Sequence, residues 1–383
     1  MVIGVLKEQA KNETRVALVP KDVALLKKAG YEILMEKNAG LKAGYEDTSY
    51  QEKGANIHND AKGVIEKSTI IVKVRAAASE KQDKVLIDAL KKDQVLIGLL
   101  EPYGPHRSFD QLKDKKVQSF ALELMPRTTR AQSMDVLSSM ANLAGYKAVI
   151  LGASESAKMF PMMMTAAGTI TPANVFILGV GVAGLQAIAT AKRLGALVSA
   201  YDVRPEVKEQ VASLGAKFIE LELDSAEGEG GYAKEMDEAF YQKQREMMLE
   251  ELSSKDVVIT TANIPGKKAP TLITKAMVEN MKVGSVIVDL AAERGGNCEL
   301  TEAGKTIEHK GVKIMGPLNI PSTLAYNASA LYSKNITNFI NNLFIKGEKT
   351  INFEDDIVQK TAIIKDGSFT HEAIKPKEGG SSS

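Results

Sequence analysis

The stretch NVFILGVGVAGLQAIATAKRLGALVSAYD, residues 174–202, decides the fold expected for the chain. Its apolar run VFIL predicts a buried strand, and LVSAY predicts a second one. Between them, Leu185, Ile188 and Ala189 fall on one face of a helix, and a glycine-rich turn joins that helix to the first strand. Strand, turn, helix and strand in this order are typical of a Rossmann-type sheet, in which helices connect parallel strands.

The turn contains Gly179, Gly181 and Gly184 at GxGxxG spacing. That spacing alone is a weak signal, but a strand before it and a helix after it make it specific. The first glycine permits a tight bend, the second lets the backbone approach a diphosphate, and the third allows the helix to pack closely on the strand. The helix N-terminus then faces the phosphates. We therefore predict a dinucleotide site here rather than three ordinary turn glycines.

The choice of dinucleotide depends on Asp202, which ends the second strand. A carboxylate at this position can accept hydrogen bonds from both ribose hydroxyls and repels a 2′-phosphate, so we predict NAD(H) rather than NADP(H). Arg204 counts against that preference, because an arginine close to this position can accept a 2′-phosphate. The other residues predicted to contact the nucleotide are Val182, Ala183, Val203, Thr261 and Ala262.

Strand-length apolar runs alternate with helical periodicity along almost the whole chain, which predicts α/β architecture with doubly wound parallel sheets. The 383 residues exceed the usual size of one hydrophobic core. We predict a first domain of residues 1–137 and 322–378, a nucleotide-binding domain of residues 138–321 with six strands, and a disordered tail at residues 379–383. Residues 159–191 lack charged side chains, but their prolines and glycines predict loop, strand and helix rather than a membrane span.

The composition excludes several classes of function. With 49 basic and 48 acidic side chains the formal net charge is +1, so no long-range field attracts nucleic acid or an anionic membrane. Cys298 is the only cysteine, which excludes an internal disulfide. The four histidines lack the spacing of a metal site, so no metal is expected. The amino terminus lacks the plan of a secretion signal, and we expect a cytoplasmic protein without direct membrane insertion.

Two polar segments have interpretations that the sequence leaves open. The first, residues 127–138, is rich in polar groups at the predicted domain junction, and its candidate site residues are Arg127, Gln132, Asp135 and Ser138. A functional loop and a solvated loop, with Asp135 or Ser138 capping the next helix, explain that pattern equally well. The second, residues 224–236, is glycine-rich and carries Tyr232 and Met236. It predicts either a lid over a site or a plain surface loop.

The scarcity of histidine also bears on the chemistry. Dehydrogenases that oxidise a hydroxy or amino acid need a general base, because a proton leaves together with the hydride. Hydride exchange between two nicotinamide rings moves no such proton and needs positioning instead. A chain with four scattered histidines fits that second chemistry, although lysine or aspartate can also serve as a base.

Six motifs together resemble the NAD(H)-binding component of the proton-translocating transhydrogenase family: ELMPRTTRAQSMD, FPMMMTAAGT, GVGVAGLQAIATAKRLGA, GGYAKEM, IPGKKAP and DLAAERGGN. The resemblance runs from ETRVALVP near the amino terminus to about residue 340. It implies a homodimer whose chains have two Rossmann-like domains, with NAD(H) in the cleft between them. It also implies direct hydride transfer to NADP(H) on a separate NADP(H)-binding subunit, and membrane-spanning subunits that couple this transfer to proton translocation.

The resemblance also implies roles for individual residues. Those that match the loop holding the nicotinamide in the family are Arg127, Gln132 and Asp135, with Ser138 beside the carboxamide. Asp202 matches the ribose ligand, and Tyr232 and Met236 match the mobile loop that closes over bound nucleotide. Because the sequence contains no membrane segment, its partners are expected to be separate polypeptides. The resemblance thus implies activity only with those partners, at the inner face of the plasma membrane.

Alanine dehydrogenase is the alternative, since ETRVALVP, with Arg15, and DLAAERGG also resemble that family. However, Arg75 stands where that family has its active-site lysine, and GLLEPYG stands where its histidine is expected. Glu293 likewise replaces an aspartate of that family. These departures argue against amino-acid chemistry. A nucleotide-binding module without turnover is a third interpretation of the same motifs.

Overall fold

The computed structural model of the chain describes residues 1–76, 83–104, 107–220, 238–264, 266–345, 348–371 and 374. The chain forms two compact units, one from Met1–Met140 with Ser322–Ser383 and one from Ala141–Pro321. Each unit contains a mainly parallel sheet with helices between successive strands. The α/β class and the doubly wound sheets predicted from the sequence are confirmed.

Strands and helices alternate along the chain. The strands are β1 (Val2–Val5), β2 (Glu32–Glu36), β3 (Asn56–His58), β4 (Ile70–Arg75), β5 (Val95–Leu99), β6 (Gln118–Ala121), β7 (Met163–Thr165), β8 (Gly168–Ile170), β9 (Asn174–Leu178), β10 (Leu197–Tyr201), β11 (Lys217–Phe218), β12 (Val257–Thr260), β13 (Val286–Asp289), β14 (Thr306–His309), β15 (Val312–Met315), β16 (Ala362–Lys365) and β17 (Ser368–Phe369). The helices are α1 (Pro20–Lys28), α2 (Asp47–Glu52), α3 (Ala61–Lys67), α4 (Lys84–Ala89), α5 (Arg107–Asp114), α6 (Val136–Glu155), α7 (Val182–Arg193), α8 (Lys208–Ser213), α9 (Glu238–Ser253), α10 (Lys275–Glu279), α11 (Ala325–Leu343) and α12 (Asp356–Thr361).

The two sheets share one strand order. The first unit has the order β17-β16-β6-β5-β4-β1-β2-β3, in which β1 to β6 are parallel and β16 and β17 are antiparallel additions. The second unit has the order β11-β10-β9-β12-β13-β15-β14, with β14 as its antiparallel edge. In each sheet the chain starts in the middle, builds one side and then returns to build the other, as in the Rossmann fold.

The core of the second unit explains why its central strands are continuous apolar runs. Strands β9, β12 and β13 are buried along nearly their whole length, as expected of parallel strands covered on both faces. The predicted apolar face of α7 lies against them: Ile188 is fully buried, and Leu185 packs on the same cluster. Burying a side chain of this size contributes about 1.5–3 kcal/mol.

Two strand features were missed from the sequence. The hairpin β7–β8 lies in a segment expected to be loop; its turn has no Asn-Gly or Asp-Gly signal and instead uses Gly168, at φ +130°. Strand β14 raises the second sheet from the expected six strands to seven. Its sequence, TIEH, is mostly polar, and the turn into β15 depends on positive φ at both Lys310 and Gly311.

Helix α6 is the long helix predicted from Ser138, and it begins two residues earlier, at Val136. Among the described residues it is the one helix with the length and hydropathy of a membrane-crossing segment, and 33% of its most apolar 18-residue window is buried. The uncharged residues 159–191 contain β7, β8, β9 and most of α7. They therefore form short strands and a helix rather than one long apolar helix, as predicted.

Candidate functional site

Residues 179–184, here named the glycine turn, connect β9 to α7. Gly179 has φ +90°, a left-handed conformation that residues with a Cβ rarely adopt. A Cβ at Gly179 would lie 2.7 Å from Thr261 Oγ1, and a Cβ at Gly184 would lie 2.0 Å from the carbonyl oxygen of Gly179. The first and third glycines are thus required by the packing of the turn itself.

The middle glycine, Gly181, meets a different condition. Its φ is −82°, which any residue can adopt, and a Cβ there would meet no heavy atom within 4 Å in the described part of the chain. Gly181 is also the N-cap of α7 and has no side chain with which to cap it. The first amide groups of a 12-residue helix therefore adjoin open space, an arrangement that favours an anion such as a diphosphate.

Asp202 lies beside the glycine turn. Tyr201, the last residue of β10, pairs with Leu178 of β9, so Asp202 follows the strand next to the turn. The Gly179 N–H donates to the Tyr201 carbonyl oxygen at 2.9 Å, and the Val180 N–H donates to Asp202 Oδ2 at 2.7 Å. The structure thus brings together the turn and the carboxylate that the sequence assigned to the same site.

Arg204 forms a two-pronged ion pair with Asp202. Its Nε donates to Oδ1 and its Nη2 donates to Oδ2, both at 2.9 Å. The Arg204 backbone N–H also donates to Oδ1, at 3.0 Å. The side chains are 18% and 7% exposed, respectively, so water screens the pair only partly. In the sequence Arg204 was only an argument against NAD(H), whereas the structure makes it a direct partner of the predicted ribose-binding carboxylate.

Thr261 holds the glycine turn from the neighbouring strand. It directly follows β12, and its hydroxyl donates to the carbonyl oxygen of Gly179 at 2.8 Å. Its backbone N–H donates to the carbonyl oxygen of Leu178, also at 2.8 Å. Ala262 is fixed in turn by Asn297, which accepts from the Ala262 N–H and donates to its carbonyl oxygen. The predicted residues after β12 therefore brace the turn.

Asp289 and Asn297 are organising residues that were not predicted from the sequence. The buried Asp289 carboxylate accepts hydrogen bonds from the Asn297 and Cys298 N–H groups and from the Thr301 hydroxyl. It thereby orders the loop after β13 and positions the Asn297 amide that holds Ala262. The only sequence signal was the motif DLAAERGGN, which begins at Asp289 and ends at Asn297.

The corresponding edge of the first unit's sheet is filled by charged side chains. Glu13 and Arg15 form a buried two-pronged ion pair, with Nε–Oε1 and Nη2–Oε2 distances of 2.7 and 2.6 Å. Their side chains are 0% and 3% exposed. Ser322 and Arg75 also approach the Glu13 carboxylate, at 3.2 and 3.8 Å. Arg15 is thus already engaged by a carboxylate of its own chain.

Two carboxyls near this edge have shifted acidity. Burial raises the pKa of Glu8 to about 7, although Lys73 and the Val74 N–H act to lower it. Burial also raises the pKa of Glu123 to about 7. One Glu123 oxygen accepts the Glu101 N–H, while the other is buried and has no hydrogen-bond partner among the described residues. Both carboxyls are therefore partly protonated at neutral pH.

Asp135 and Ser138 of the polar segment are tied to each other. The Ser138 N–H donates to Asp135 Oδ1 at 2.9 Å, and the Ser138 hydroxyl donates to Oδ2 at 2.6 Å. Asp135 directly precedes α6, so its carboxylate caps that helix. The structural interpretation left open by the sequence thus holds for Asp135, and capping also fixes the direction of both side chains.

The rest of the polar segment is anchored to α11 and α12. Asn335 and Asn338 of α11 both donate to the Ser133 carbonyl oxygen at 3.0 Å. Arg130 forms ion pairs with Asp355 and Asp356 at the start of α12. These contacts hold the 3-10 turn Thr129–Met134 in place. The segment is thus a fixed platform on which Arg127 and Gln132 are exposed.

The predicted site residues fall into two groups. Gly179, Gly181, Val182, Ala183, Gly184, Asp202, Val203, Thr261 and Ala262 lie in the second unit, at or beside the glycine turn. Arg127, Gln132, Asp135 and Ser138 lie in the first unit, in the polar segment. Tyr232 and Met236 lie outside the described residues. Within the described ranges no group of three or more His, Cys, Asp or Glu could hold a metal ion.

Comparison with protein families gives matches over nearly the whole chain. The N-terminal domain model of alanine dehydrogenase/PNT matches residues 4–144, and the C-terminal domain model matches residues 148–372. An NAD(P) transhydrogenase alpha subunit from Rhodospirillum rubrum is 48% identical over 98% of this chain and 99% of its own length.

Solved structures give the same two branches. A transhydrogenase structure from Sinorhizobium meliloti matches with a TM-score of 0.87 and 45% identity, over 96% of this chain and 100% of that one. An L-alanine dehydrogenase structure matches with a TM-score of 0.81 and 26% identity, over 98% of both chains. The similarity in sequence is thus greater on the transhydrogenase side.

Proposed function

The chain belongs to the alanine dehydrogenase/PNT family and is a homologue of NAD(P) transhydrogenase alpha subunits, and we propose that it is the NAD(H)-binding component of a proton-translocating transhydrogenase. The observation that carries the proposal is the open backbone at Gly181, which lies at the N-terminus of α7 and beside Asp202. This arrangement suits a diphosphate with an adenosine ribose next to it.

The proposed binding mode uses both groups of predicted residues. The backbone of the glycine turn and the first residues of α7, Val182 and Ala183, hold the diphosphate, and Asp202 holds the ribose. Arg127, Gln132, Asp135 and Ser138 are proposed to position the nicotinamide end, with Tyr232 and Met236 closing over the nucleotide. In support, the contact between Asp135 and Ser138 fixes both polar side chains before any ligand binds.

The proposed reaction is hydride exchange with NADP(H). The nucleotide supplies a hydride, so NADH is oxidised while NADP⁺ on a partner subunit is reduced, and no other proton changes place. The chain itself needs only to bind, orient and shield the nicotinamide. The histidine-poor sequence and the occupied carboxylate of Asp135 fit this requirement for positioning better than they fit a general base.

The partners follow from the family resemblance. We propose a homodimer that works with an NADP(H)-binding subunit and membrane-spanning subunits, on the cytoplasmic side of the membrane. The predicted domains, residues 1–137 with 322–378 and residues 138–321, are proposed as the two folding units between which the nucleotide is handled. Proton translocation belongs to the membrane-spanning partners, so the chain is expected to be active only with them.

Amino-acid dehydrogenation is the second candidate, because the alanine dehydrogenase branch matches the whole chain. The first unit argues against it. Arg15 is paired with Glu13, and Arg75, at the position of that family's lysine, lies 3.8 Å from both Glu13 and Glu101. An arginine remains charged at any physiological pH and is a poor general base.

Reconstitution with an NADP(H)-binding partner subunit tests the proposal. Hydride exchange between NADH and an NADP⁺ analogue should appear only in the mixture. Gly181→Val should weaken NADH binding by about 100-fold or more, because the valine blocks the diphosphate, yet leave the thermal midpoint nearly unchanged in the open space around Gly181. Oxidation of NADH by pyruvate and ammonium would instead establish the second candidate. Binding without exchange in the mixture would indicate a module without turnover.

A further inference from the structure

Arg204 occupies acceptor positions on Asp202 that a bound ribose would need. A carboxylate offers about four lone-pair positions. Asp202 accepts the backbone N–H groups of Val180 and Arg204 and, in addition, the Nε and Nη2 groups of the Arg204 side chain. Two of these donors belong to the backbone, and the other two belong to one flexible side chain.

A ribose that donates both of its hydroxyl groups to Asp202 therefore competes with the guanidinium rather than with the backbone. The backbone donors are held by the glycine turn and by the chain after β10. The Arg204 side chain is 18% exposed, so it can withdraw without unfolding its surroundings. Its charge-assisted, two-pronged contact with Asp202 is the interaction that such a ribose must replace.

The same arginine changes the electrostatic selection at the site. A 2′-phosphate carries a charge of about −1.5 to −2 at pH 7, and an isolated Asp202 carboxylate would repel it. With Arg204 two residues away, the pair has no net charge. A guanidinium that leaves Asp202 stays within reach of the 2′ position and can pair with a phosphate there in the two-pronged way that arginine favours.

We propose that Arg204 is a specificity-determining residue of the nucleotide site: it competes with NAD(H) for Asp202 and reduces the discrimination against NADP(H). The inference rests on the proposed NAD(H) site. It makes an unusual prediction for an arginine in a nucleotide site, namely that its removal strengthens the binding of NADH.

Dissociation constants of NADH and NADPH for the full chain and its variants test the proposal. Arg204→Ala should bind NADH about threefold to tenfold more tightly and NADPH at least about threefold more weakly. Arg193→Ala is the matched control, since it removes the same charge from the exposed end of α7, and it should change neither ratio. Arg204→Lys should lie between wild type and Arg204→Ala, because an ammonium cannot contact both carboxylate oxygens in the same way.

A double-mutant cycle with Asp202→Asn separates this mechanism from a general effect of charge. If Arg204 acts through Asp202, the gain in NADH affinity should disappear in the Asp202→Asn background. A gain that persists there, an Arg204→Ala variant that binds NADH more weakly, or one with unchanged affinities would each overturn the proposal. Wild-type chain that binds no NADH at all would instead refute the proposed function.

Discussion

The two sheets of this chain have the same strand order but different edges at the point where that order reverses. In the second unit, β9 and β12 are followed by Gly179 and Thr261, which are joined by a hydrogen bond and leave Gly181 open. In the first unit, β1 and β4 are the corresponding strands. There, the Glu8 carboxylate fills the edge and accepts the N–H groups of Val74 and Arg75.

The difference lies in the first connection from strand to helix. In the second unit three residues, two of them glycine, separate β9 from α7. In the first unit residues 6–19 separate β1 from α1, and they contain no glycine but do contain Glu8, Glu13 and Arg15. Ligands of open α/β sheets bind at this edge. The comparison teaches that the topology offers a site twice, while the connection decides which edge admits a diphosphate.

The largest expected effect comes from the filled edge. Arg15→Met leaves the fully buried Glu13 carboxylate without its partner, so the free energy of unfolding should fall by about 3–5 kcal/mol. Denaturant titration measures the change, and Glu13→Gln combined with Arg15→Met should recover most of it. The exposed pair Lys305–Glu302 is the control, because Lys305→Met should cost less than about 1 kcal/mol. Equal losses for both pairs would contradict the account of a tightly filled edge.

The second effect separates the glycines of the open edge. Gly184→Ala places a Cβ against the backbone carbonyl of Gly179, so the second unit should lose about 2–4 kcal/mol of stability and also lose NADH binding. Gly181→Ala should change the stability by less than about 1 kcal/mol, because its Cβ enters open space. Denaturation and NADH titration of both variants provide the measurement. Equal stabilities would mean that the contact between helix and turn is looser than described.

The third effect is a pH dependence that arises at the filled edge. The unfolded chain holds Glu123 at its ordinary pKa near 4.5, whereas the folded chain holds it at about 7. Between those values the folded protein binds more protons, so the free energy of unfolding falls as the pH rises from about 4.5 to 7 and stays low above that. Glu123→Gln should remove part of this fall and stabilise the protein by on the order of 1–2 kcal/mol at pH 8. A parallel pH profile for the variant would exclude Glu123 as a source.

The smallest effect concerns the brace under the open edge. Thr261→Val removes the hydroxyl that holds Gly179, so NADH binding should weaken by about threefold to tenfold and stability should fall by about 1 kcal/mol. Thr190→Val, which removes a comparable side-chain bond to the Gln186 carbonyl within α7, is the matched control. It should show the loss of stability but not the loss of affinity. If both variants bind NADH as wild type does, the turn needs no brace.

The sequence was most informative where local rules decide the structure. The glycine turn, the face of α7 with Ile188 and the strand before Asp202 follow from spacing and periodicity over about 30 residues. Strand β14 was missed because its turn depends on left-handed Lys310, a conformation that no local composition signals.

Long-range contacts were beyond the reach of the sequence. The brace from Asn297 to Ala262 spans 35 residues, and the bond from Ser322 to Glu13 spans 309. Such pairs are set by the order of strands in the sheets rather than by local preference. The Asp202–Arg204 pair is local, but an Asp-x-Arg pattern does not reveal that the guanidinium turns back onto the carboxylate. These contacts convert a correct fold into a specific site.

The central claim is that the glycine turn, and not the filled edge of the first unit, takes the dinucleotide. A crystal structure of the chain with NADH tests it most directly. We expect the diphosphate oxygens to lie within about 3 Å of backbone N–H groups around Gly181 and Val182, and the adenosine ribose to contact Asp202. A dinucleotide seated at Glu8 and Arg15, or anywhere else away from Gly181, would contradict the account.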